Sequence, residues 1–104
     1  LAGGGGHAYT SSKHALAGFT KQLALDYAEA GIQVFGIAPG AVKTAMTAAD
    51  FEPDGLADWV ASETPIKRWI EPEEVAEVNL FLASGKASAM QGQILTIDGG
   101  WSLK

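Results

Sequence analysis

Two side chains near the start of the sequence, a phenol and an amine, are spaced so that they can act together. Tyr9 and Lys13 are four residues apart in an alanine-rich stretch with helical periodicity. On a helix this spacing places both side chains on one face, with Cβ atoms about 5–6 Å apart. A phenol ordinarily titrates at about pH 10, but a neighbouring ammonium and the positive end of a helix both stabilise the phenolate. The pair is therefore a candidate general acid/base for a carbonyl or an alcohol, the alternative being an ordinary exposed helical pair.

The pattern around this pair predicts a helix followed by a strand. Apolar residues at helical spacing predict a helix over 9–30, which ends at Gly31. The run 32–38 is rich in β-branched and aromatic residues and closes at Pro39 and Gly40. It predicts a strand buried on both faces, as is typical of parallel sheets.

The second half of the chain repeats this order after an irregular segment. Residues 41–71 contain acids, prolines and tryptophans and predict short helical turns, with the acidic stretch 50–63 as a solvated face. A helix is predicted over 72–84, with Pro72 at its first position, and a strand over 93–97. Helix, strand, helix and strand predict a doubly wound α/β sheet. Two strands are too few for such a sheet, so either partners supply the rest or more chain belongs in front.

Composition narrows the class of protein. The chain has 104 residues, 47% of them hydrophobic, which excludes intrinsic disorder, and no apolar run approaches the roughly 18 residues of a membrane span. A net charge of −5 disfavours nucleic acid as a partner. The lack of cysteine excludes disulfides and favours a reducing compartment, here predicted to be the cytoplasm. The chain begins with Leu1 and has no signal-peptide pattern, so we expect that its beginning is missing.

Other possible sites are weaker. Residues 1–7 predict a glycine loop in which Gly3, Gly5 and Ala8 fit a loose dinucleotide motif, but that motif functions only after a strand, so a flexible loop is favoured. No Gly-x-Ser-x-Gly hydrolase motif occurs. His7 and His14 lack further ligands at helical spacing, so no metal site is expected.

Taken together, the motifs along the chain resemble the C-terminal half of a short-chain dehydrogenase/reductase. The closest likeness is to the bacterial subgroup that includes oxoacyl-carrier-protein reductases and sugar or polyol dehydrogenases. The resemblance covers nearly the whole chain and implies the C-terminal half of a Rossmann-like parallel sheet. The motifs, in order, are Tyr9-Thr-Ser-Ser-Lys13, Leu23-Ala-Leu-Asp-Tyr27, Gly31-Ile-Gln-Val34, Pro39-Gly-Ala-Val-Lys-Thr44, Arg68, Pro72-Glu-Glu-Val-Ala76, Leu80-Phe-Leu-Ala-Ser84, Gly92-Gln93 and Ile97-Asp-Gly-Gly100.

The resemblance assigns roles to two helical residues and implies a reaction. Tyr9 matches the family's catalytic acid/base, and Lys13 matches the lysine that activates the tyrosine and bonds the nicotinamide ribose. The implied reaction is hydride transfer between a nicotinamide cofactor, NAD or NADP, and a small-molecule carbonyl or alcohol. A homo-oligomer, dimer or tetramer, is implied through the helix 9–30 and the last strand.

The resemblance also places the cofactor and the substrate. Pro39 and Gly40 match the turn beneath the nicotinamide ring, Val42 the position whose backbone holds the carboxamide, and Thr44 a hydroxyl that contacts the cofactor. Residues 45–70 match the family's variable substrate lid. Three apolar lid residues are candidate substrate contacts, the alternative being that they pack on the lid's own core: Met46, Phe51 and Trp59.

Several parts of the family pattern lie outside this sequence. The catalytic serine stands thirteen positions before the tyrosine, and only eight residues precede Tyr9 here. The nucleotide loop, the residue that selects NAD or NADP and the relay asparagine are also absent, and Phe35 replaces a frequent asparagine. We therefore expect this chain alone to be inactive. The alternatives are a truncated, inactive paralogue or oligomerisation module, and a dehydratase or epimerase on the same fold.

Overall fold

The computed structural model describes residues 6–104, so most of the predicted glycine loop, including Gly3 and Gly5, lies outside the described residues. The predicted order of helix, strand, helix and strand is confirmed, and short helical turns fill the irregular segment. The helices are α1 (Gly6–Tyr27), α2 (Ala57–Glu63) and α3 (Pro72–Ala83), the strands are β1 (Gly36–Pro39) and β2 (Ile94–Ile97), and 3-10 turns occupy Ala45–Phe51, Ser88–Met90 and Trp101–Leu103.

The two strands form a parallel pair, which confirms the α/β class. Gly36 lies opposite Ile94, and Pro39 lies opposite Ile97. The pairing extends one residue further, because the Gly40 amide donates to the Ile97 carbonyl at 2.9 Å. Both α2 and α3 lie in the connection between the strands. The carboxyl ends of β1 and β2 therefore meet at one edge.

Helix α1 packs on the sheet through small residues and runs antiparallel to the strands. Ala24 is buried, and a Cβ atom added to Gly92, just before β2, would lie 3.2 Å from the Ala24 Cβ. One turn earlier in the helix, Thr20 contacts Gly36 at the start of β1, with its Cγ2 3.4 Å from an added Cβ. The carboxyl ends of the strands therefore lie on the same side as the N-terminal end of α1.

The first strand is shorter than predicted, because a glutamine side chain binds the segment before it. The Gln91 amide nitrogen donates to the carbonyls of Ala24, at 2.9 Å, and Ile32, at 3.0 Å, while its oxygen accepts from the Val34 amide at 3.1 Å. The bonds to Ile32 and Val34 occupy backbone groups that a longer strand would have used. The prediction of burial on both faces was also wrong, since Ile32 is 51% exposed and β1 is only half-buried.

Helix α3 begins at Pro72 as predicted, and an ion pair closes its first turn. The Glu74 carboxylate accepts from the backbone amide of Glu71 at 3.0 Å and from both terminal nitrogens of Arg68, at 2.6 and 3.0 Å. The hydrogen bond from Arg68 lowers the pKa of Glu74 to about 2. The same hydrogen bond raises the pKa of Arg68. The carboxylate thus ties Arg68, in the segment before α3, to the first turn of that helix.

Much apolar surface stays exposed on α1. Leu16 and Phe19, which share the predicted helical stripe, are 57% and 61% exposed, and only Ala24 of this helix is buried. The buried apolar side chains elsewhere among the described residues are few: Trp69, Ile70, Leu82 and Ala87. Within residues 6–104, no helix is both long and apolar enough to cross a membrane.

Candidate functional site

Tyr9 and Lys13 meet on one face of α1, as their spacing predicts. Tyr9 lies in the first turn of the helix, and the Lys13 ammonium lies 5.3 Å from the centre of its ring. Tyr9 is 55% exposed. The pairing and the exposure suit proton exchange with a bound molecule. The role of the pair in catalysis stays a prediction.

The turn after β1 passes very close to the end of β2. A Cβ atom added to Gly40 would lie 2.7 Å from the Cβ of Asp98 and 2.9 Å from its Cα. A side chain at position 40 is therefore excluded by the neighbouring strand end. Pro39 and Gly40 themselves are exposed on the other side of the turn. The sequence-based expectation was a close approach of the Gly40 backbone to the nicotinamide ring, and the structure adds a second reason for glycine.

Hydrogen bonds fix the path of the chain beyond this turn. Val42 forms a parallel bridge with Ile70, the buried residue just before α3. The Thr44 amide donates to the hydroxyl oxygen of Thr47 at 2.9 Å, and that oxygen also lies 3.0 Å from the Val42 carbonyl. Thr44 is exposed. The backbone of 40–44 is thus held in place with its outer surface open to a ligand.

The tyrosine–lysine pair and the strand-end turn lie at the same end of the molecule. Thr20 contacts Gly36 at the start of β1. From Thr20 back to Tyr9 the helix covers eleven residues, about 16 Å, and from Gly36 to Gly40 the strand covers about 13 Å. Because α1 is antiparallel to β1, both distances run toward the carboxyl ends of the strands. Open α/β sheets bind their ligands at that edge.

The three apolar residues predicted to contact the substrate differ in their surroundings. Met46 is 96% exposed. The Phe51 ring lies 4.8 Å from the ring of Trp69, and the Trp59 ring lies 6.3 Å, edge to face, from that of Trp101. Phe51 and Trp59 keep 42% and 54% of their surfaces exposed. Each therefore packs on a neighbouring aromatic ring and still offers apolar surface to a ligand.

An open groove of about 620 Å³ lies away from these residues, between the start of β1 and the end of α3. Phe35, Ile37, Leu82 and Gly85 contribute to its walls. It lies at the amino end of the strands, where open α/β sheets do not bind ligands. Phe35 therefore lines a groove at the amino end of β1, away from the turn at Pro39.

Asp98, which no motif marked as functional, organises the turn after β2. One carboxylate oxygen accepts from the Gly100 amide at 2.9 Å and the other from the Ser102 amide at 3.0 Å. Burial alone would raise the pKa of Asp98, but hydrogen bonds from Ser102 and Gly100 outweigh it and lower the pKa. A short acid before two glycines is a recognisable turn signal. Asp98 thereby shapes the strand end on which Gly40 packs.

No group of three or more histidine, cysteine, aspartate or glutamate side chains within residues 6–104 is arranged to hold an ion. His14 instead has its Nδ1 2.8 Å from the Thr10 carbonyl, one turn earlier in α1.

Comparison with known proteins gives consistent matches along the chain. Residues 2–102 match the family described as enoyl-(acyl carrier protein) reductase. A 2-dehydro-3-deoxy-D-gluconate 5-dehydrogenase of Bacillus subtilis is 40% identical over 90% of this chain and 37% of its own length.

Solved structures of dehydrogenases also match this chain. The gluconate 5-dehydrogenase of Burkholderia cenocepacia J2315, in complex with NADP and tartrate, has a TM-score of 0.90 and 34% identity over all of this chain and 41% of its own. A 4-hydroxyisoleucine dehydrogenase complexed with NADH has a TM-score of 0.87 and 34% identity, and the match covers 93% of this chain and 40% of that enzyme. The chain thus spans about two fifths of the length of these relatives. With nearly every residue matched, the chain belongs to the short-chain dehydrogenase/reductase family.

Proposed function

We propose that this chain is the C-terminal part of a NAD(P)-dependent oxidoreductase that interconverts a carbonyl and an alcohol. The observation that carries the proposal is the Tyr9–Lys13 pair, which lies on one face of α1 at the carboxyl edge of the sheet. Ligands of open α/β sheets bind at this edge. Relatives that share this part of the chain are named dehydrogenases.

In this proposal Tyr9 exchanges a proton with the substrate oxygen. The Lys13 ammonium lies 5.3 Å from the centre of the phenol ring, and in the oxidation direction Tyr9 accepts the proton of the alcohol. In the reverse direction the neutral phenol donates its proton to the oxygen of a carbonyl. A bound nicotinamide supplies or accepts the hydride.

The turn after β1 fits the nicotinamide end of the cofactor. Pro39, Gly40 and Thr44 are exposed, and Val42 has its backbone fixed by the bridge to the segment before α3. A backbone fixed in this way can position a carboxamide, and Lys13 can donate to the ribose. Because one relative is complexed with NADP and another with NADH, we propose NAD or NADP without a choice between them.

The substrate is proposed to be a small hydroxy or carbonyl compound that lies under residues 45–70. The relatives are named for a sugar acid and for a hydroxylated amino acid, two classes that share a secondary alcohol. Phe51 and Trp59 offer apolar surface from the lid. The exposed Leu16 and Phe19 of α1 support the further proposal of a homo-oligomer.

The test is Tyr9→Phe in the full-length enzyme, with Tyr27→Phe at the other end of α1 as the matched control. We expect Tyr9→Phe to lower kcat by about 10²- to 10⁴-fold, since one proton transfer is removed. Cofactor affinity, measured by nucleotide fluorescence, should stay near that of the parent, and Tyr27→Phe should retain turnover. Substantial residual activity in Tyr9→Phe would overturn the proposal.

A second candidate, an inactive paralogue or oligomerisation module, is favoured by the two-stranded sheet and the exposed stripe on α1. The mass of the protein in its source separates the two candidates. About 25 kDa is expected for one complete α/β unit, since such domains reach about 250 residues. A mass that corresponds to 104 residues favours the module. Measured NAD(P)H turnover would also separate a dehydrogenase from a dehydratase or an epimerase on this fold.

A further inference from the structure

The last seven residues lie directly on the end of the lid. We call residues 98–104 the C-terminal segment. The Ile66 amide donates to the Gly99 carbonyl at 3.2 Å, and a Cβ added to Gly99 would lie 2.7 Å from a side-chain carbon of Ile66. A Cβ added to Gly100 would lie 3.0 Å from Pro65. The two glycines, with φ of +63° and +92°, allow the backbones to touch here.

Lys104 connects this segment to the last turn of α2. Its ammonium donates to the Glu63 carbonyl at 2.9 Å and lies 3.5 Å from the Glu63 carboxylate. A cation at the C-terminus of a helix binds unsatisfied carbonyls and the negative end of the helix dipole. The same ammonium lies 3.7 Å from the centre of the Trp101 ring, within the range of a cation–π interaction. Lys104 therefore holds Glu63 and Trp101 together.

Trp101 in turn contacts the candidate substrate residue of α2. Its ring meets that of Trp59 edge to face, with centres 6.3 Å apart. Trp59 keeps 54% of its surface exposed, so one side rests on Trp101 and the remainder is free. The orientation of Trp59 therefore depends on a chain of contacts that begins at Lys104.

We propose that Lys104 and Trp101 are positioning residues that hold α2 and Trp59 in place over the substrate. The inference rests on the proposed function, because it takes residues 45–70 as the substrate lid. Tyr9 and Lys13 lie on α1, which neither residue contacts through the interactions described above. Loss of the contacts that Lys104 and Trp101 make with α2 should therefore weaken substrate binding and leave the chemical step nearly unchanged.

The test compares Lys104→Met, Lys104→Arg and Lys86→Met in the full-length enzyme. Methionine keeps the aliphatic stem over Trp101 and removes the charge, arginine restores the charge, and exposed Lys86 lies outside this cluster. Cation–π contacts and partly exposed ion pairs are weak, so we expect Lys104→Met to raise the substrate KM by about threefold. The kcat and the cofactor KM should stay within about twofold, and both controls should behave like the parent.

Hydrogen exchange of the backbone amides in 57–66 gives a readout independent of activity. We expect faster exchange in Lys104→Met and a larger increase in Trp101→Leu, with the amides of α1 unchanged. Unchanged hydrogen exchange in both variants would overturn the proposal that Lys104 and Trp101 hold α2 in place. Faster exchange with an unchanged substrate KM would also overturn the inference, by showing that the contacts order α2 without acting on the substrate. A failure of the proposed function is a different result, because it would be seen as retained turnover in Tyr9→Phe.

Discussion

Two separate reasons favour glycine at position 40, the approach of a cofactor and the close packing of the end of β2. The family resemblance explains it by the approach of a nicotinamide ring, whereas the structure shows the end of β2 within 2.9 Å of where its side chain would stand. The nearest atoms are the Cβ and Cα of Asp98, which are fixed by the strand and cannot move aside like the tip of a long side chain. Stability alone therefore requires a glycine at this position.

Gly40→Ala should destabilise the full-length protein by about 1–3 kcal/mol, the usual cost of overpacking. Gly18→Ala is the matched control, because Gly18 lies inside α1 and an added Cβ meets nothing within 4 Å. Alanine is the better helix former by up to about 1 kcal/mol, so this control should be neutral or stabilising. Urea unfolding of the two variants measures the difference, and equal midpoints would contradict the assigned role of Gly40.

At the scale of elements, the first turn of α3 depends on the ionisation of one carboxylate. Glu74 binds the guanidinium of Arg68 and the amide of Glu71, and its pKa falls from an ordinary 4.5 to about 2. The charged form therefore stabilises the folded state, because the folded chain binds the proton less tightly than the unfolded chain does. This contribution is complete above about pH 4.5 and is lost as the pH falls toward 2.

Glu74→Gln should therefore lower the melting temperature at neutral pH and have a shrinking effect as the pH falls below 4. Glu73→Gln, in the same exposed turn, is the control and should change the melting temperature little at any pH. Because the ion pair is exposed, 1 M salt should reduce the effect of Glu74→Gln. A melting-temperature difference that stays constant from pH 7 to pH 3 would contradict this role of Glu74.

The start of β1 shows where local patterns fail at this scale. Residues 32–35 have the composition of a strand, yet the Gln91 side chain takes their hydrogen bonds from 57 and 59 positions away. The hydropathy of residues 32–38 does not indicate that the Gln91 side chain will bind their backbone. The start of α3, by contrast, was predicted correctly, because Pro72 and the acids after it act within their own turn.

At the scale of the whole molecule, one face of α1 lacks a cover among the described residues. Leu16 and Phe19 lie on adjacent turns and are more than half exposed. A patch of this kind on a helix is typical of an interface. We expect a second copy of the protein to cover it, in line with the proposed homo-oligomer.

Leu16→Glu in the full-length protein should shift the molar mass measured by light scattering toward that of a smaller assembly. Leu25→Glu is the matched control, because nine residues along a helix turn the side chain by about 180° to the opposite face. It introduces the same charge at a position that is 73% exposed. Equal masses for both variants and the parent would contradict an interface at Leu16.

The features that depend on near neighbours could be predicted from the pattern of amino acids. The spacing of Tyr9 and Lys13, the proline and acids that start α3, and the order of helices and strands all act over one or two turns. The family followed from these motifs in their order.

Contacts between residues far apart in the chain became visible only in the folded structure. Asp98 excludes a side chain at Gly40, and Lys104 binds the carbonyl of Glu63 from 41 positions away. Such contacts depend on how the elements pack, and packing is a property of the whole chain that no local pattern of hydropathy or spacing encodes.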